Sequence, residues 1–139
     1  MKQRKILLVG ILMLSVLVFA GCDNFRLARY IGPYTGTVKL KLGTVDYTGT
    51  WQFTVNKGGS FTGKCLIKGI TQVHDITGSV NPDGSFTGSW KMNIESTSTA
   101  ISFTGKIVNK TVTGEIKIGP LSIGNLEGKK VSVLEQLLP

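Results

Sequence analysis

From Tyr34 onward, apolar and polar residues alternate along the chain. In the clearest segment, one side carries Phe86, Trp90, Met92 and Ile94, and the other side is polar. The same alternation recurs in further segments, whose apolar sides carry Tyr47, Trp51, Phe53 and Val55; Val38, Leu40 and Leu42; and Val112, Ile116 and Ile118. Successive side chains of a strand point to opposite faces, so the pattern predicts strands with one buried and one solvated face. Such strands are typical of an antiparallel sheet.

A short motif, an apolar or aromatic residue followed by Thr and Gly, recurs once in each predicted strand. Its seven copies place glycines at Gly36, Gly49, Gly63, Gly78, Gly88, Gly105 and Gly114, and Leu126-Glu127-Gly128 is a degenerate eighth copy. The irregular spacing of the glycines fits strands joined by hairpins of varying length rather than a solenoid. Turn-forming residues occupy positions 56–59, 81–84 and 109–110 between the motifs. The repeat therefore predicts about eight strands in one meander.

Closure of this meander into a barrel is favoured by the strand pattern. Eight strands in an open sheet would leave two unpaired edges, and an up-and-down barrel removes both. A glycine on the concave face of each strand allows sharp coiling and leaves space near the barrel axis. We therefore predict an all-β fold, a single antiparallel up-and-down meander of about eight strands closed into a barrel. A two-sheet β-sandwich is the alternative that satisfies the same pattern.

Residues 1–21 have the organisation of an export signal. Three basic residues, Lys2, Arg4 and Lys5, precede an almost uninterrupted apolar stretch over residues 6–20. This stretch is short for a bilayer core of roughly 30 Å, so a cleaved secretory signal is favoured over a permanent transmembrane helix. Removal of the leader lowers the formal net charge from +8 to +5 because it carries three basic and no acidic residues.

The leader ends in Val18-Phe19-Ala20-Gly21-Cys22, which resembles the lipobox of bacterial lipoproteins, with Phe where that family usually has Leu. The resemblance implies cleavage before Cys22 and acylation of its thiol, so that lipid chains hold the protein to a bilayer. Asp23 resembles the residue that retains lipoproteins at the inner membrane. We therefore expect a protein anchored on the outer side of the cytoplasmic membrane, with the inner membrane favoured. An uncleaved signal anchor with an incidental cysteine is the alternative.

The chain divides into four predicted segments. Residues 1–21 are the signal peptide, 22–33 the lipidated cysteine and a tether with a helical turn, 34–131 the barrel domain, and 132–139 a short apolar tail. The barrel segment is too short for a TIM barrel or a complete dinucleotide-binding domain. Leu134, Leu137 and Leu138 have helical spacing, and we expect the tail to cap one barrel mouth.

Candidate catalytic groups are few. The single histidine, His74, precedes Asp75, but adjacent residues of a strand face opposite sides, so Asp75 cannot orient the imidazole. We expect His74 and Cys65 to be buried structural residues. The sequence contains no nucleophile elbow, phosphate-binding glycine loop or metal-spaced Cys/His cluster, so we expect no enzyme activity, no cofactor and no metal. The export signal and the lack of an exposed row of aromatic residues disfavour nucleic-acid binding.

The inner face suggests a ligand cavity, and the outer face is basic. Trp51, Phe53, Trp90 and Met92 lie inward beside the glycines, so the barrel could hold a small apolar ligand against them. Strand fragments such as Gly49-Thr50-Trp51 resemble the avidin and lipocalin class of small barrels. The residues with which avidins hold biotin have no counterparts here, so no ligand follows from the resemblance.

Lysines among the outward threonines suit anionic lipid or an acidic partner, or simply a solvated face.

These observations lead to one leading hypothesis and two alternatives. The leading hypothesis is a membrane-tethered, non-enzymatic binding or interaction module of the bacterial envelope, with the bilayer and an envelope protein as partners. The first alternative is a carrier of a small hydrophobic ligand inside the barrel. The second is an inhibitor of an envelope hydrolase, which rests on architectural analogy alone.

Overall fold

Eight antiparallel strands form a closed up-and-down barrel in a computed structural model, which describes residues 26–94 and 96–132. The strands are β1 (Gly32–Leu42), β2 (Val45–Val55), β3 (Ser60–Ile67), β4 (Val73–Val80), β5 (Ser85–Ile94), β6 (Thr97–Val108), β7 (Thr111–Ile118) and β8 (Leu121–Lys130). Each strand pairs with the next, and β8 pairs with β1, from Lys130 opposite Tyr34 to Gly124 opposite Leu40. The predicted all-β barrel is confirmed, and the β-sandwich alternative is wrong. The architecture agrees with the avidin and lipocalin class.

The predicted inner faces are also confirmed. The alternating apolar residues are buried except near one end of the barrel, where Leu42, Tyr47, Ile94 and Ile118 are half-buried, and the threonines of the repeated motif point outward to solvent. The largest fully buried side chains are Tyr34, Phe61, Phe86 and Phe103. One continuous core therefore fills the barrel along its axis.

The motif glycines bring neighbouring strands into close register. Three pairs of them lie directly opposite each other across adjacent strands: Gly36 and Gly128, Gly78 and Gly88, and Gly105 and Gly114. A Cβ atom on Gly36 would lie 2.6 Å from the Cα atom of Gly128, inside any normal contact distance. At these pairs a side chain would collide with the facing backbone.

The two ends of the barrel are built differently. One, which we call the plugged end, contains the turns at residues 56–59, 81–84 and 109–110 and the chain segment 26–31 that precedes β1. The other, which we call the rim end, contains the turns at residues 43–44, 68–72 and 119–120. The backbone adopts positive φ in turns at both ends, for example +91° at both Gly59 and Gly69.

Residues 26–31 close the plugged end. Residues 26–28 form a helical turn, after which the amide of Tyr30 donates a hydrogen bond of 2.9 Å to the carbonyl of Leu27. The Tyr30 side chain is only 8% exposed and belongs to the core. The hydroxyl of Tyr34 donates to the carbonyl oxygen of Tyr30 at 2.9 Å. This segment, assigned to the tether by the sequence pattern, is thus part of the folded barrel.

Two predicted segments lie outside the described residues. The leader with Cys22 precedes residue 26, and the tail residues Leu134, Leu137 and Leu138 follow residue 132. Within the described chain, no helix combines the length and the apolar character needed to cross a membrane.

Candidate functional site

The four predicted ligand contacts lie in the barrel interior as expected. Trp51, Phe53, Trp90 and Met92 are all buried. The rings of Trp51 and Phe53 stack with their centroids 4.8 Å apart, and Trp90 packs against Phe103 at 5.7 Å. Stacked and tilted rings at these separations are the favoured arrangements of aromatic pairs. The structure thus brings three of the four residues into one aromatic cluster.

The motif glycines provide space that these rings occupy. A Cβ atom on Gly78 or Gly88 would lie within 3.0 Å of the ring of Phe61 or Phe103, respectively. A Cβ atom on Gly128 would likewise lie within 3.0 Å of the Trp51 indole. Each of these glycines is therefore covered by an aromatic ring from another strand.

The space enclosed by this aromatic cluster is too small for a ligand. The enclosed space measures about 10 Å³ and is lined by Val38, Trp51, Phe53, Cys65, Ile76, Trp90, Phe103 and Leu126. This is about the space that a single water molecule needs, whereas small-molecule pockets measure about 300–1,000 Å³. Met92 is not among the lining residues. The sequence left a packed and a hollow interior open, and in the structure the rings fill the space that the glycines leave.

The seam between β4 and β5 is the least paired part of the barrel wall. Its register extends over four residue pairs, from Thr77 opposite Ser89 to Val80 opposite Phe86, whereas β5 and β6 share ten pairs. Beyond this stretch, toward the rim end, a side chain bridges the strands. Nδ1 of His74 lies 3.2 Å from the carbonyl oxygen of Lys91. Because a carbonyl only accepts, we assign the proton to Nδ1, which makes His74 the donor and leaves a lone pair on Nε2.

Two ring nitrogens at this seam are buried without partners. They are Nε2 of His74 and Nε1 of Trp90. Cys65 lies directly opposite His74 in the register of β3 and β4. Burial raises the pKa of the Cys65 thiol to about 11, so the thiol stays protonated at neutral pH. A protonated thiol is a poor nucleophile, and the pair therefore lacks the activation that Cys–His catalysis requires.

His74 and Asp75 occupy opposite faces, as predicted. His74 is buried, whereas Asp75 is exposed and forms an ion pair with Lys64 of the neighbouring strand. The carboxylate therefore cannot orient the imidazole. Among residues 26–94 and 96–132, no group of three or more His, Cys, Asp or Glu side chains is arranged to hold a metal ion.

An apolar surface surrounds the rim end. Its half-buried residues are Leu42, Tyr47, Ile70, Ile94 and Ile118, which pack against the core. Its exposed residues are Val45, Val73 and Leu121, the first residues of β2, β4 and β8. We call these eight residues the apolar rim. Exposed apolar residues around one mouth of a barrel are a candidate contact surface for another protein.

A basic groove of about 580 Å³ lies at the plugged end. Its polar lining includes the cations Arg29, Lys106 and Lys110 and a single carboxylate, Asp83, and its apolar lining includes Tyr30 and Tyr34. A fourth cation lies beside it, because the amide of Lys130 donates to the carbonyl of Lys110 at 2.8 Å. Sequence reasoning could not assemble these cations, since they come from distant segments of the chain.

Comparison with known proteins provides no family for this chain. No family model matches it, and no curated protein matches it. Function is therefore inferred from the geometry described above and from the leader sequence.

Proposed function

We propose that the protein is a lipid-anchored, non-enzymatic binding module of the bacterial envelope that contacts an envelope protein through its apolar rim. The packed interior is the observation that carries this proposal. Because rings fill the enclosed space to about 10 Å³, a partner has to be recognised on the outside of the barrel. The lipobox that ends at Cys22 supplies the anchor.

The anchor and the rim belong to opposite ends of the barrel. Cys22 is four residues before Arg26, where the described chain begins at the plugged end. Four residues span at most about 14 Å, so acyl chains on Cys22 would keep the plugged end near the bilayer. The apolar rim then points away from the membrane, where a neighbouring envelope protein can reach it.

A non-enzymatic role is supported by the state of the nucleophile and base candidates. The Cys65 thiol is buried and has a raised pKa of about 11. The Nδ1 atom of His74 is engaged with the carbonyl of Lys91. Neither group has access to solvent, and therefore neither has access to a substrate.

The alternatives receive less support. A carrier that uses Trp51, Phe53, Trp90 and Met92 as ligand contacts would have to displace rings that are stacked on one another. An inhibitor of an envelope hydrolase shares the anchored, outward-facing arrangement, but nothing in the described residues favours a hydrolase as the partner over other envelope proteins.

Metabolic labelling with a palmitate analogue tests the anchor. We expect the wild-type protein to be labelled and Cys22→Ser to lose the label. Cys65→Ala is the matched control because it removes the other cysteine of the chain, which is buried. Persistent labelling of Cys22→Ser would refute the anchor.

Photo-crosslinking in the native host tests the partner. A photoreactive residue at Leu121 in the apolar rim should give a discrete adduct with an envelope protein. The control position is Val108 at the plugged end, which has a similar exposure, 54% against 66% for Leu121. An absence of protein adducts at Leu121, or the same protein adducts at both positions, would contradict a role for the rim.

A further inference from the structure

The cations of the basic groove line one surface, and none of them takes part in a salt bridge between described residues. Burial and the neighbouring charge of Lys110 lower the pKa of Lys130. The Nζ atom of Lys130 donates to the carbonyl oxygen of Arg29 at 3.3 Å and lies 6.0 Å from the Tyr34 ring centroid. These contacts hold a cation at the edge of the groove but bring no negative charge to it.

The single carboxylate of the groove is engaged in its own turn. Asp83 accepts hydrogen bonds from the hydroxyl of Ser85 at 2.6 Å and from its amide at 2.9 Å. These bonds lower the pKa of Asp83, with a smaller contribution from Lys106. The two salt bridges between described residues, Lys64–Asp75 and Lys117–Glu115, involve none of the groove residues. Arg29, Lys106 and Lys110 are thus available to an external anion.

The position of the groove identifies the source of that anion. The segment 26–31 that carries Arg29 leads back to Cys22, so on the proposed function the groove lies at the end of the barrel that the anchor holds near the bilayer. Anionic lipid headgroups attract basic side chains over about a Debye length, which is roughly 10 Å at moderate ionic strength. A leaflet with anionic phospholipids is therefore the nearest dense source of negative charge.

We infer that the basic groove binds the phosphate headgroups of anionic phospholipids. Arg29, Lys106 and Lys110 contact the headgroups, while the lipid chains on Cys22 hold the protein at the surface. The anchored barrel then stands with its plugged end on the bilayer rather than moving freely on its tether. This inference rests on the proposed anchor and adds an orientation to it, because docking at the groove turns the apolar rim outward.

Lysine acylation on vesicles tests this orientation. The mature lipidated protein is reconstituted into vesicles of phosphatidylcholine alone or of equal parts phosphatidylcholine and phosphatidylglycerol, and acylation is quantified by mass spectrometry. We expect Lys106 and Lys110 to react about fivefold more slowly on the anionic vesicles, and the protection to disappear at high salt. Lys39 and Lys41, toward the rim end of β1, should react equally on both vesicles. Equal reactivity of Lys106 and Lys110 on both vesicles would overturn the inference.

Paired charge variants provide the matched control. K106Q/K110Q and K39Q/K41Q remove the same charge from opposite ends of the barrel. We expect K106Q/K110Q to abolish the protection of Lys57, in the plugged-end turn at residues 56–59, and K39Q/K41Q to retain it. An equal effect of the two double variants would show that net charge, not the groove, attracts the protein. Flotation with phosphatidylcholine vesicles reports the anchor alone, so its failure is distinguishable from a failure of the groove.

Discussion

The plugged end and the rim end of the barrel are closed by different means. At the plugged end, backbone bonds link each turn to a strand outside its own hairpin: the amides of Val80, Ile107 and Lys130 donate to the carbonyls of Gly59, Gly84 and Lys110. The buried ring of Tyr30 completes this closure. At the rim end, half-buried side chains such as Tyr47 and Ile70 cover the core, and the amide of Lys68 donates to the carbonyl of Thr48. The comparison shows that the segment before the first strand makes the two ends of the barrel different, although the eight strands themselves are similar.

We expect the largest loss of stability from a variant that disrupts the packed core between the two ends. In Gly78→Ala, the new Cβ atom would lie within 3.0 Å of the backbone oxygen of Thr87 and of the Phe61 ring. We expect a loss of about 3 kcal/mol in the free energy of unfolding, measured by urea denaturation. Gly58→Ala is the control, since no heavy atom lies within 4 Å of its Cβ position. Equal stability of the two variants would show that the glycine is not covered by a ring.

Removing one ring at each end tests the difference between them. Tyr30→Ala deletes the buried plug residue and should cost about 2–3 kcal/mol, because it leaves a cavity in the core. Tyr47→Ala deletes a half-buried residue of the apolar rim, and we expect a cost of about 1 kcal/mol. Urea midpoints with unchanged slopes give both values. A larger loss of stability in Tyr47→Ala than in Tyr30→Ala would contradict the expected difference between the two ends.

The strands and their buried faces could be predicted because alternation is a local property of the sequence. Trp51 and Trp90 face inward as their positions in the pattern require. The filling of the interior could not be predicted in this way. Whether Phe61 covers Gly78 depends on the register of β3 against β4 and on the side-chain rotamer, and neither is encoded in a periodicity. An inward glycine is therefore compatible with a cavity or with a covering ring.

The burial of Tyr30 and the hydrogen bond of His74 across the seam between β4 and β5 could not be predicted for a related reason. Tyr30 lies in a segment without alternation, and its burial depends on contacts with turns that are distant in sequence. His74 was expected as a buried structural residue, but its bond to Lys91 requires the separation of β4 from β5.

Two turn glycines with the same backbone angle provide a sharper comparison of the ends. Gly59 at the plugged end and Gly69 at the rim end both have φ of +91°. Alanine at either position should cost about 1 kcal/mol because of the left-handed backbone. Gly59→Ala should cost about 1 kcal/mol more, since its Cβ atom would lie 2.8 Å from the carbonyl oxygen of Val80. Thermal or urea unfolding of both variants measures this difference, and equal losses would indicate that the plugged end is no more tightly packed.

The smallest effect at neutral pH is expected from Tyr34→Phe, which removes the hydrogen bond to Tyr30 and should cost about 1 kcal/mol. Burial, followed by the proximity of Tyr30, raises the pKa of Tyr34 to about 12. Tyrosine in the unfolded chain titrates near pH 10, so this contribution to stability is complete below pH 10 and is lost as the pH rises toward 12. Urea midpoints across that pH range should fall less steeply for Tyr34→Phe than for wild type. Parallel plots of midpoint against pH for the two proteins would contradict the raised pKa of Tyr34.

Native mass spectrometry of the protein extracted from its own host membranes tests the central claim most directly. A lipid-anchored barrel with a packed interior should give the mass of the chain from Cys22 onward plus two or three acyl chains. We expect no further mass that is lost on mild activation, because the enclosed space is about 10 Å³. A retained non-covalent small molecule would contradict the packed interior, and an unmodified mature chain would contradict the anchor.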